Sequence, residues 1–176
     1  YSADALEFDF SVLGNNLRVV GNLPYNISTP ILFHLSSFAA NIHDMHFMLQ
    51  KEVVARMVAA PSTPDYGRLS VMLQCRFEME QLFGVPPESF LPVPKVESAI
   101  VRMSPLRQAP VEPGKEKLFA GIVSAAFSQR RKTLRNTLHG HLKPEDYVTL
   151  GIDPGLRAEN LSVAQFVAIT NHLSKF

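Results

Sequence analysis

The segment from Leu17 to Tyr25 constrains the fold of this chain more than any other. An apolar run ends there in Asn22-Leu23-Pro24-Tyr25, and a helix-like segment follows. A short apolar run bounded by turn residues is typical of a buried strand. Ser28 or Thr29 can cap the next helix, with Pro30 in its first turn. The sequence therefore predicts a strand, a stiff turn and a helix in direct succession.

The same tetrapeptide places hydrogen-bond acceptors beside a flat aromatic ring. An aromatic amine such as adenine N6 is hard to alkylate because its lone pair is delocalised, so an enzyme must hold it in a suitable geometry. The Asn22 side-chain oxygen and a carbonyl of Leu23 or Pro24 can accept hydrogen bonds from its N–H groups. Tyr25 can stack on the base, and proline stiffens the turn. The alternative interpretation is a structural turn with a capping Asn and a core Tyr.

Further along the chain, strand and helix patterns alternate and then give way to helices alone. Strands are predicted at 17–21, 44–49, 68–77 and 96–103, with 80–85 extending the pairing. Helices are predicted from 30 to 38 and from 52 to 58. After Pro105, the helical patterns cover 115–127, 130–142, 144–151 and 162–173. This order predicts an α/β domain with an antiparallel edge over residues 1–105, followed by a small helical domain over residues 106–176.

Composition excludes several classes of protein. The chain has 176 residues with 46% hydrophobic and 19% charged residues, which is ordinary for a folded globular protein. It contains no apolar run of the roughly 18 residues that a membrane span needs and no signal peptide at its start. Its one cysteine, Cys75, cannot form an internal disulfide, which fits a reducing compartment such as the cytoplasm. Because Cys75 lies in a strand-like pattern, buried packing is favoured over a catalytic thiol.

Five ordered segments of the chain resemble the adenine-N6 dimethyltransferases of small-subunit ribosomal RNA. They are Gly21–Pro30, Leu49–Val53, Tyr66–Val71, Phe90–Ser98 and Phe127–Asn136. The related methyltransferases of large-subunit rRNA that confer antibiotic resistance share the Asn-x-Pro-Tyr core. They usually have Ile where Leu23 stands, and they lack the Arg-Arg-Lys-Thr segment in this form.

The resemblance implies a Rossmann-like methyltransferase fold that uses S-adenosylmethionine. Asn22 and the Pro24 carbonyl would contact the target amine, and Tyr25 would stack on a flipped adenine. Phe90 would close on the opposite face of the base, although from the sequence alone it is also consistent with a core aromatic. Asp4, followed by Ala5, matches the position whose carboxylate contacts the adenine of the cofactor.

The glycine-rich cofactor loop of that family is not found in the sequence. The nine glycines form no Gly-x-Gly cluster. The family places this loop before the Asp-Ala position, so the chain resembles the C-terminal two-thirds of the enzyme. We therefore expect this chain alone to bind S-adenosylmethionine weakly or not at all, and to be inactive.

A basic segment without acidic residues follows the first helix of the predicted helical domain. Arg130, Arg131, Lys132 and Arg135 stand where the apolar stripe of that helix would otherwise continue, which predicts that the helix ends and presents these charges outward. A solvated basic surface is the simpler interpretation. With Gln129, Thr133 and Asn136 as further hydrogen-bonding groups, the pattern is also typical of an RNA phosphate contact.

The sequence favours one function and leaves two alternatives. The favoured hypothesis, which the family resemblance implies, is a monomeric enzyme that dimethylates two adjacent adenines near the 3′ end of small-subunit rRNA, with a small-subunit precursor as partner. The alternatives are an RNA-binding ribosome-assembly factor without catalysis and a methyltransferase of large-subunit rRNA. No metal site is expected, because His43 and His46 lack a third ligand at a suitable spacing.

Overall fold

The computed structural model describes residues 1–174, which form two compact units. The first unit comprises residues 1–58 and 76–107, and the second comprises residues 59–75 and 108 onward. The division after Arg107 lies close to the predicted domain boundary at 105. Residues 59–75, however, group with the helical unit, whereas the sequence assigned them to the α/β domain. Residues 175 and 176 of the predicted helical domain lie outside the described part of the chain.

The first unit is built on a four-stranded sheet with the order β1-β2-β4-β3. Its strands are β1 (Leu17–Asn22), β2 (Ile42–Gln50), β3 (Phe77–Val85) and β4 (Ser98–Pro105). β1 and β2 are parallel, while β4 runs antiparallel to both β2 and β3. This arrangement confirms the predicted α/β sheet with an antiparallel edge.

Two helices of the first unit bury apolar residues that lie at helical spacing in the sequence. They are α1 (Ser28–Ser36), which buries Ile31, Leu32 and Leu35, and α2 (Lys51–Val58), which buries Val54 and Met57. The central strand β2 contributes Met45, Phe47 and Leu49, all at most 1% exposed. Burial at alternate positions of a strand is the expected pattern for side chains that share one face of a sheet.

The second unit is helical. Its helices are α3 (Arg68–Gln74), α4 (Glu116–Ala126), α5 (Leu134–Thr137), α6 (Pro144–Leu150) and α7 (Val163–Leu173). They enclose one cluster of buried apolar residues, which includes Phe119, Ile122, Leu134, Tyr147 and Phe166. Ser162 caps α7 as the sequence predicts, since its hydroxyl accepts a hydrogen bond from the Gln165 amide. In residues 1–174, no helix has the length and apolar character needed to cross a membrane.

Two predicted elements differ in the structure. The strand expected over 68–77 is wrong, because residues 68–74 form helix α3. The Gly67 amide donates to the Ser70 hydroxyl at 3.0 Å and so satisfies one free donor at the start of this helix. The helix expected over 130–142 is limited to α5, since residues 128–133 form turns.

Candidate active site

The Asn22-Leu23-Pro24-Tyr25 turn lies at the carboxyl end of the parallel strand β1. Asn22 is the last residue of the strand and is paired with Met48 of β2. The Leu23 amide donates to the Met48 carbonyl at 3.2 Å, which prolongs the ladder by one residue. Pro24 has no N–H and cannot continue the pairing, so the chain turns here. Ligands of open α/β sheets bind at this end of parallel strands.

Tyr25 is held in place by a residue of β4, the strand that lies beyond β2 in the sheet. Its hydroxyl lies 2.9 Å from the hydroxyl of Ser98, the first residue of β4. Ser98 is fully buried, whereas Tyr25 remains 39% exposed. The anchored hydroxyl therefore leaves part of the aromatic ring accessible to a ligand.

A cleft of about 350 Å³ opens over this turn. We call it the Asn22 cleft, and its lining residues come from two segments of the chain: Asn22, Leu23, Pro24 and Tyr25 after β1, and Phe90, Leu91, Pro92 and Pro94 before β4. The volume is at the low end of the range of roughly 300–1,000 Å³ that is usual for small-ligand sites. The structure thus brings Phe90 together with the tetrapeptide, although more than sixty residues (90 − 25) separate it from Tyr25.

The polar groups of the Asn22 cleft include two acceptors, the Asn22 side-chain oxygen and the Pro24 carbonyl. Among residues 1–174, the exposed Asn22 carboxamide forms no hydrogen bond with the protein. The Pro24 carbonyl accepts a bond from the Ile27 amide at 3.2 Å, and a carbonyl oxygen has a second lone pair for another donor. The cleft can therefore accept hydrogen bonds from a planar ligand that carries an amine.

Asp4 and Ala5 are not among the residues that line this cleft. Ala5 lines a separate depression of about 310 Å³ in the first unit, together with Tyr1, Ala3, Phe8, Phe10 and Leu13. The Asp4 carboxylate accepts a hydrogen bond from the Leu6 amide at 2.8 Å through one oxygen. Asp4 is exposed, so its second oxygen is available to a ligand at the edge of an aromatic depression.

The basic segment, defined here as residues 130–135, belongs to the second unit. Arg130, Arg131, Lys132 and Arg135 are all exposed. Two apolar residues hold this part of the chain: the half-buried Phe127, before the segment, stacks on Phe166 with ring centroids 5.8 Å apart, and Leu134, within it, is fully buried. The charges are thus presented outward from a fixed turn, as the interruption of the apolar stripe predicts.

Comparison with known proteins places the whole chain in one family. Residues 1–175 match the family described as Ribosomal RNA adenine dimethylase. The chain belongs to the ribosomal RNA adenine dimethylase family. It is 73% identical over 175 residues to Ribosomal RNA small subunit methyltransferase A of Nitrosospira multiformis, covering 99% of this chain and 68% of that protein. The protein of the same name from Thiobacillus denitrificans is 66% identical over 174 residues, with coverage of 99% and 68%.

Solved structures show the same fold. A dimethyladenosine transferase from Plasmodium falciparum superposes with a TM-score of 0.81 at 24% identity, covering 99% of this chain and 72% of that one. The 23S rRNA methyltransferase ErmE gives a TM-score of 0.72, also at 24% identity, with coverage of 99% and 71%. The resemblance noted in the sequence is therefore confirmed at the level of the adenine dimethylase family and of a Rossmann-like methyltransferase fold.

Other candidate residues of the chain have structural partners. His43 and His46 lie on either side of the Asp44 carboxylate, each 3.8 Å from one of its oxygens. Residues 1–174 contain no group of three or more His, Cys, Asp or Glu side chains arranged to hold a metal ion. Cys75 is buried at the end of α3, and its thiol donates to the Met72 carbonyl. Cys75 is buried as the sequence predicts, but it lies at the end of a helix and not in a strand.

Sequence reasoning missed Ser98 and the residues around Phe90. Ser98 contacts Tyr25 from 73 positions away, and no local pattern marks such a pairing. The proline-rich stretch after Phe90 contributed to the family resemblance, but apart from Phe90 none of its residues was predicted to line the site. Two of its prolines, Pro92 and Pro94, line the Asn22 cleft beside Leu91.

Proposed function

We propose that this protein dimethylates N6 of two adjacent adenines near the 3′ end of small-subunit rRNA, with S-adenosylmethionine as methyl donor, in the course of small-subunit biogenesis. The observation that supports this most is the Asn22 cleft. It joins free acceptors at Asn22 and Pro24 to aromatic residues at Tyr25 and Phe90. Acceptors and aromatic rings in one small cleft suit a planar base that bears an exocyclic amine.

The acceptors would orient the amine. With the Asn22 oxygen and the carbonyl of Leu23 or Pro24 holding its N–H groups, the nitrogen lone pair is turned out of conjugation and toward the methyl donor. Positioning of this kind is worth several kcal/mol without any strong base. For the second transfer, the remaining N–H keeps one acceptor occupied while the cleft accommodates the first methyl group.

The two rings would hold the base itself. A base must leave its stack before an enzyme can reach N6, which costs a few kcal/mol unless it is already unpaired. Stacking on one aromatic side chain returns about 1–3 kcal/mol. Tyr25 and Phe90, which both line the cleft, can therefore offset most of that cost.

The residues present also fit the adenine end of S-adenosylmethionine. Asp4 offers a free carboxylate oxygen for an exocyclic amine, and Ala5 and Phe8 line an adjacent apolar depression. When bound, the cofactor supplies an electrophilic methyl group on a sulfonium. These contacts cover only part of such a ligand, and we expect the 176-residue chain to bind it with a Kd no tighter than about 100 μM, a weak affinity of about −5.5 kcal/mol. Micromolar binding measured by calorimetry would contradict this weak affinity. It would also contradict the expected inactivity of the chain alone.

RNA would be engaged through the basic segment. Lysine and arginine contacts to phosphates position a protein on RNA without reading its sequence. We propose a small-subunit precursor as the partner and a monomer in the cytoplasm as the working form. The names of the relatives from Nitrosospira multiformis and Thiobacillus denitrificans support the small subunit as the substrate.

The test is methyl transfer by the protein as its gene encodes it, with isolated small and large subunits as separate acceptors. We expect labelled methyl groups on the small subunit alone and N6,N6-dimethyladenine after digestion. Asn22→Ala should abolish transfer while RNA binding is retained. A protein that binds RNA and methylates nothing would favour a ribosome-assembly factor, whereas transfer that survives Asn22→Ala would show that Asn22 does not hold the target amine. Labelling of the large subunit would favour the antibiotic-resistance type of enzyme.

A further inference from the structure

The helical unit contains a cavity of its own. Its volume is about 560 Å³, larger than that of the Asn22 cleft. We call it the Arg135 cavity. Three nitrogen-bearing side chains line it, from Arg135, His139 and Lys143, and its other walls include Leu142, Tyr147 and Pro154.

The walls of the Arg135 cavity are braced by hydrogen bonds. The buried Tyr147 hydroxyl donates to the Leu134 carbonyl at 2.9 Å. The amides of Leu134 and Arg135 donate to the carbonyls of Leu156 and Pro154 at 2.8 and 3.0 Å. α5, α6 and the loop after α6 are thereby tied together, so the cavity is formed before any ligand arrives.

The cavity is positively charged. In residues 1–174, the side chains of Arg135 and Lys143 form no ion pair with a carboxylate. Of the two acids of α6, Glu145 and Asp146, the second is already engaged: one oxygen accepts from the Lys143 amide and the other lies 2.7 Å from His172 Nε2. His139 Nδ1 lies 3.2 Å from the Asn136 carbonyl, which leaves the other ring nitrogen for a ligand.

We propose that the Arg135 cavity holds one unstacked nucleotide of an RNA strand. This inference rests on the proposed function, because it takes RNA as the partner. A surface that contacts only phosphates needs positive charge but no apolar cavity. The Arg135 cavity has positive charge and apolar walls. Arg135 and Lys143 suit the phosphate, and the imidazole of His139 with the apolar walls suits a base. Proteins recognise RNA chiefly at such splayed-out bases. Arg135 belongs both to the lining of this cavity and to the basic segment.

The experiment compares two RNA hairpins that differ by a single bulged 2-aminopurine. With the 176-residue chain, we expect the bulged hairpin to bind about tenfold tighter than the fully paired one, a difference of the size that a single stacked base gives. The paired substitution His139→Ala and Lys143→Ala should remove that preference. The exposed Lys117 of the same unit provides the control, since Lys117→Ala should leave the preference intact. Melting curves of each variant confirm that the fold is retained.

A photo-cross-link gives a second and independent measurement. Replacing the bulged base by 5-iodouridine should cross-link it to His139 or Tyr147, as read by mass spectrometry. Equal affinity for the two hairpins, or cross-links only outside the Arg135 cavity, would overturn this inference and leave the proposed function intact. Failure to bind either hairpin would overturn both the inference and the proposed RNA contact. Adenosine monophosphate binding as tightly as the bulged hairpin would assign the cavity to a free nucleotide instead.

Discussion

The hydroxyl of Tyr25 lies 2.9 Å from the hydroxyl of Ser98, and this bond joins the turn after β1 to the start of β4. Either group can be the donor. Ser98 has no exposed surface, so the bond fixes one end of the Tyr25 side chain against the sheet while the ring lines the Asn22 cleft. A stacking platform is useful only if its plane is fixed, because each free rotation must be lost again when the base binds.

Removing either hydroxyl should therefore impair methyl transfer by the protein as its gene encodes it. We expect Tyr25→Phe and Ser98→Ala each to lower kcat/KM about three- to tenfold, the effect of losing one hydrogen bond of about 1 kcal/mol. The double variant should be no worse than either single variant, because both remove the same interaction. Losses that multiply in the double variant would show that the two hydroxyls act separately.

Removing the ring should cost more than removing its hydroxyl. Tyr25→Ala takes away a stacking face worth about 1–3 kcal/mol, which corresponds to a loss of roughly 5- to 150-fold in kcat/KM. Fluorescence of 2-aminopurine at the target position would report whether the base still enters the cleft. A Tyr25→Ala enzyme as active as Tyr25→Phe would contradict the stacking role.

Tyr66 should stabilise the helical unit in a way that depends on alkaline pH. Its buried hydroxyl donates to the Leu161 carbonyl at 2.9 Å, and burial raises the pKa of Tyr66 from 10.0 to about 12. Tyr66→Phe leaves that carbonyl without this donor and should lower the free energy of unfolding by about 1–3 kcal/mol at pH 8.

The pH dependence follows from the raised pKa of Tyr66. The stabilisation is fully present below pH 10, where the unfolded tyrosine is protonated, and is lost as the pH rises toward 12. Denaturant unfolding at a series of pH values should show the advantage of the wild type over Tyr66→Phe shrinking in that interval. Tyr1→Phe is the control, since Tyr1 is 96% exposed. A difference that stays constant to pH 12 would contradict this assignment.

The elements that the sequence predicted correctly are those in which local pattern and tertiary burial agree. From Met45 to Gln50, β2 alternates between buried and half-buried positions, and α4 buries the stripe that includes Phe119, Ile122 and Val123. The Asn22 turn could be placed at a strand end because proline stops the ladder where the apolar run stops. Its chemical role came from residue type and family resemblance, and the cleft adds the geometry.

The predictions that were wrong or missing also have physical causes. Residues 68–77 alternate partly between apolar and polar, which fits a strand, yet Gly67 and Ser70 together start a helix. Ser70 is a buried polar residue whose partner is a backbone amide, and a pattern of hydrophobicity cannot reveal this. The Tyr25–Ser98 contact depends on strand order in the sheet. A single sequence gives no signal for which strand becomes the neighbour of β2.

Asp44 should make the stability of the first unit depend on acidic pH. Arg18 donates two hydrogen bonds of 2.7 Å to the Asp44 carboxylate, and these bonds hold its pKa below the usual value of 3.8. The resulting stabilisation is present above about pH 4 and is lost as the pH falls through the lowered pKa. Asp44→Asn should therefore melt several degrees lower than the wild type at pH 7 and converge with it as the pH falls through the lowered pKa of Asp44. Asp65→Asn, at an exposed position, is the control, and parallel curves at all pH values would contradict the role of the ion pair.

The basic segment should determine the salt dependence of RNA binding. Each phosphate contact releases counterions, so the logarithm of affinity falls with the logarithm of salt concentration by somewhat less than one unit per contact. Arg131 and Arg135 are exposed cations on a fixed turn. Reversing both to Glu should weaken binding to small-subunit RNA at low salt and make the slope shallower by about two.

Arg131→Glu alone leaves the lining of the Arg135 cavity unchanged and should make the slope shallower by about one. Reversal of Lys117 and Arg157 changes net charge equally and should leave the slope near that of the wild type. If the Arg131 and Arg135 variant binds as the wild type does at every salt concentration, the basic segment does not contact RNA.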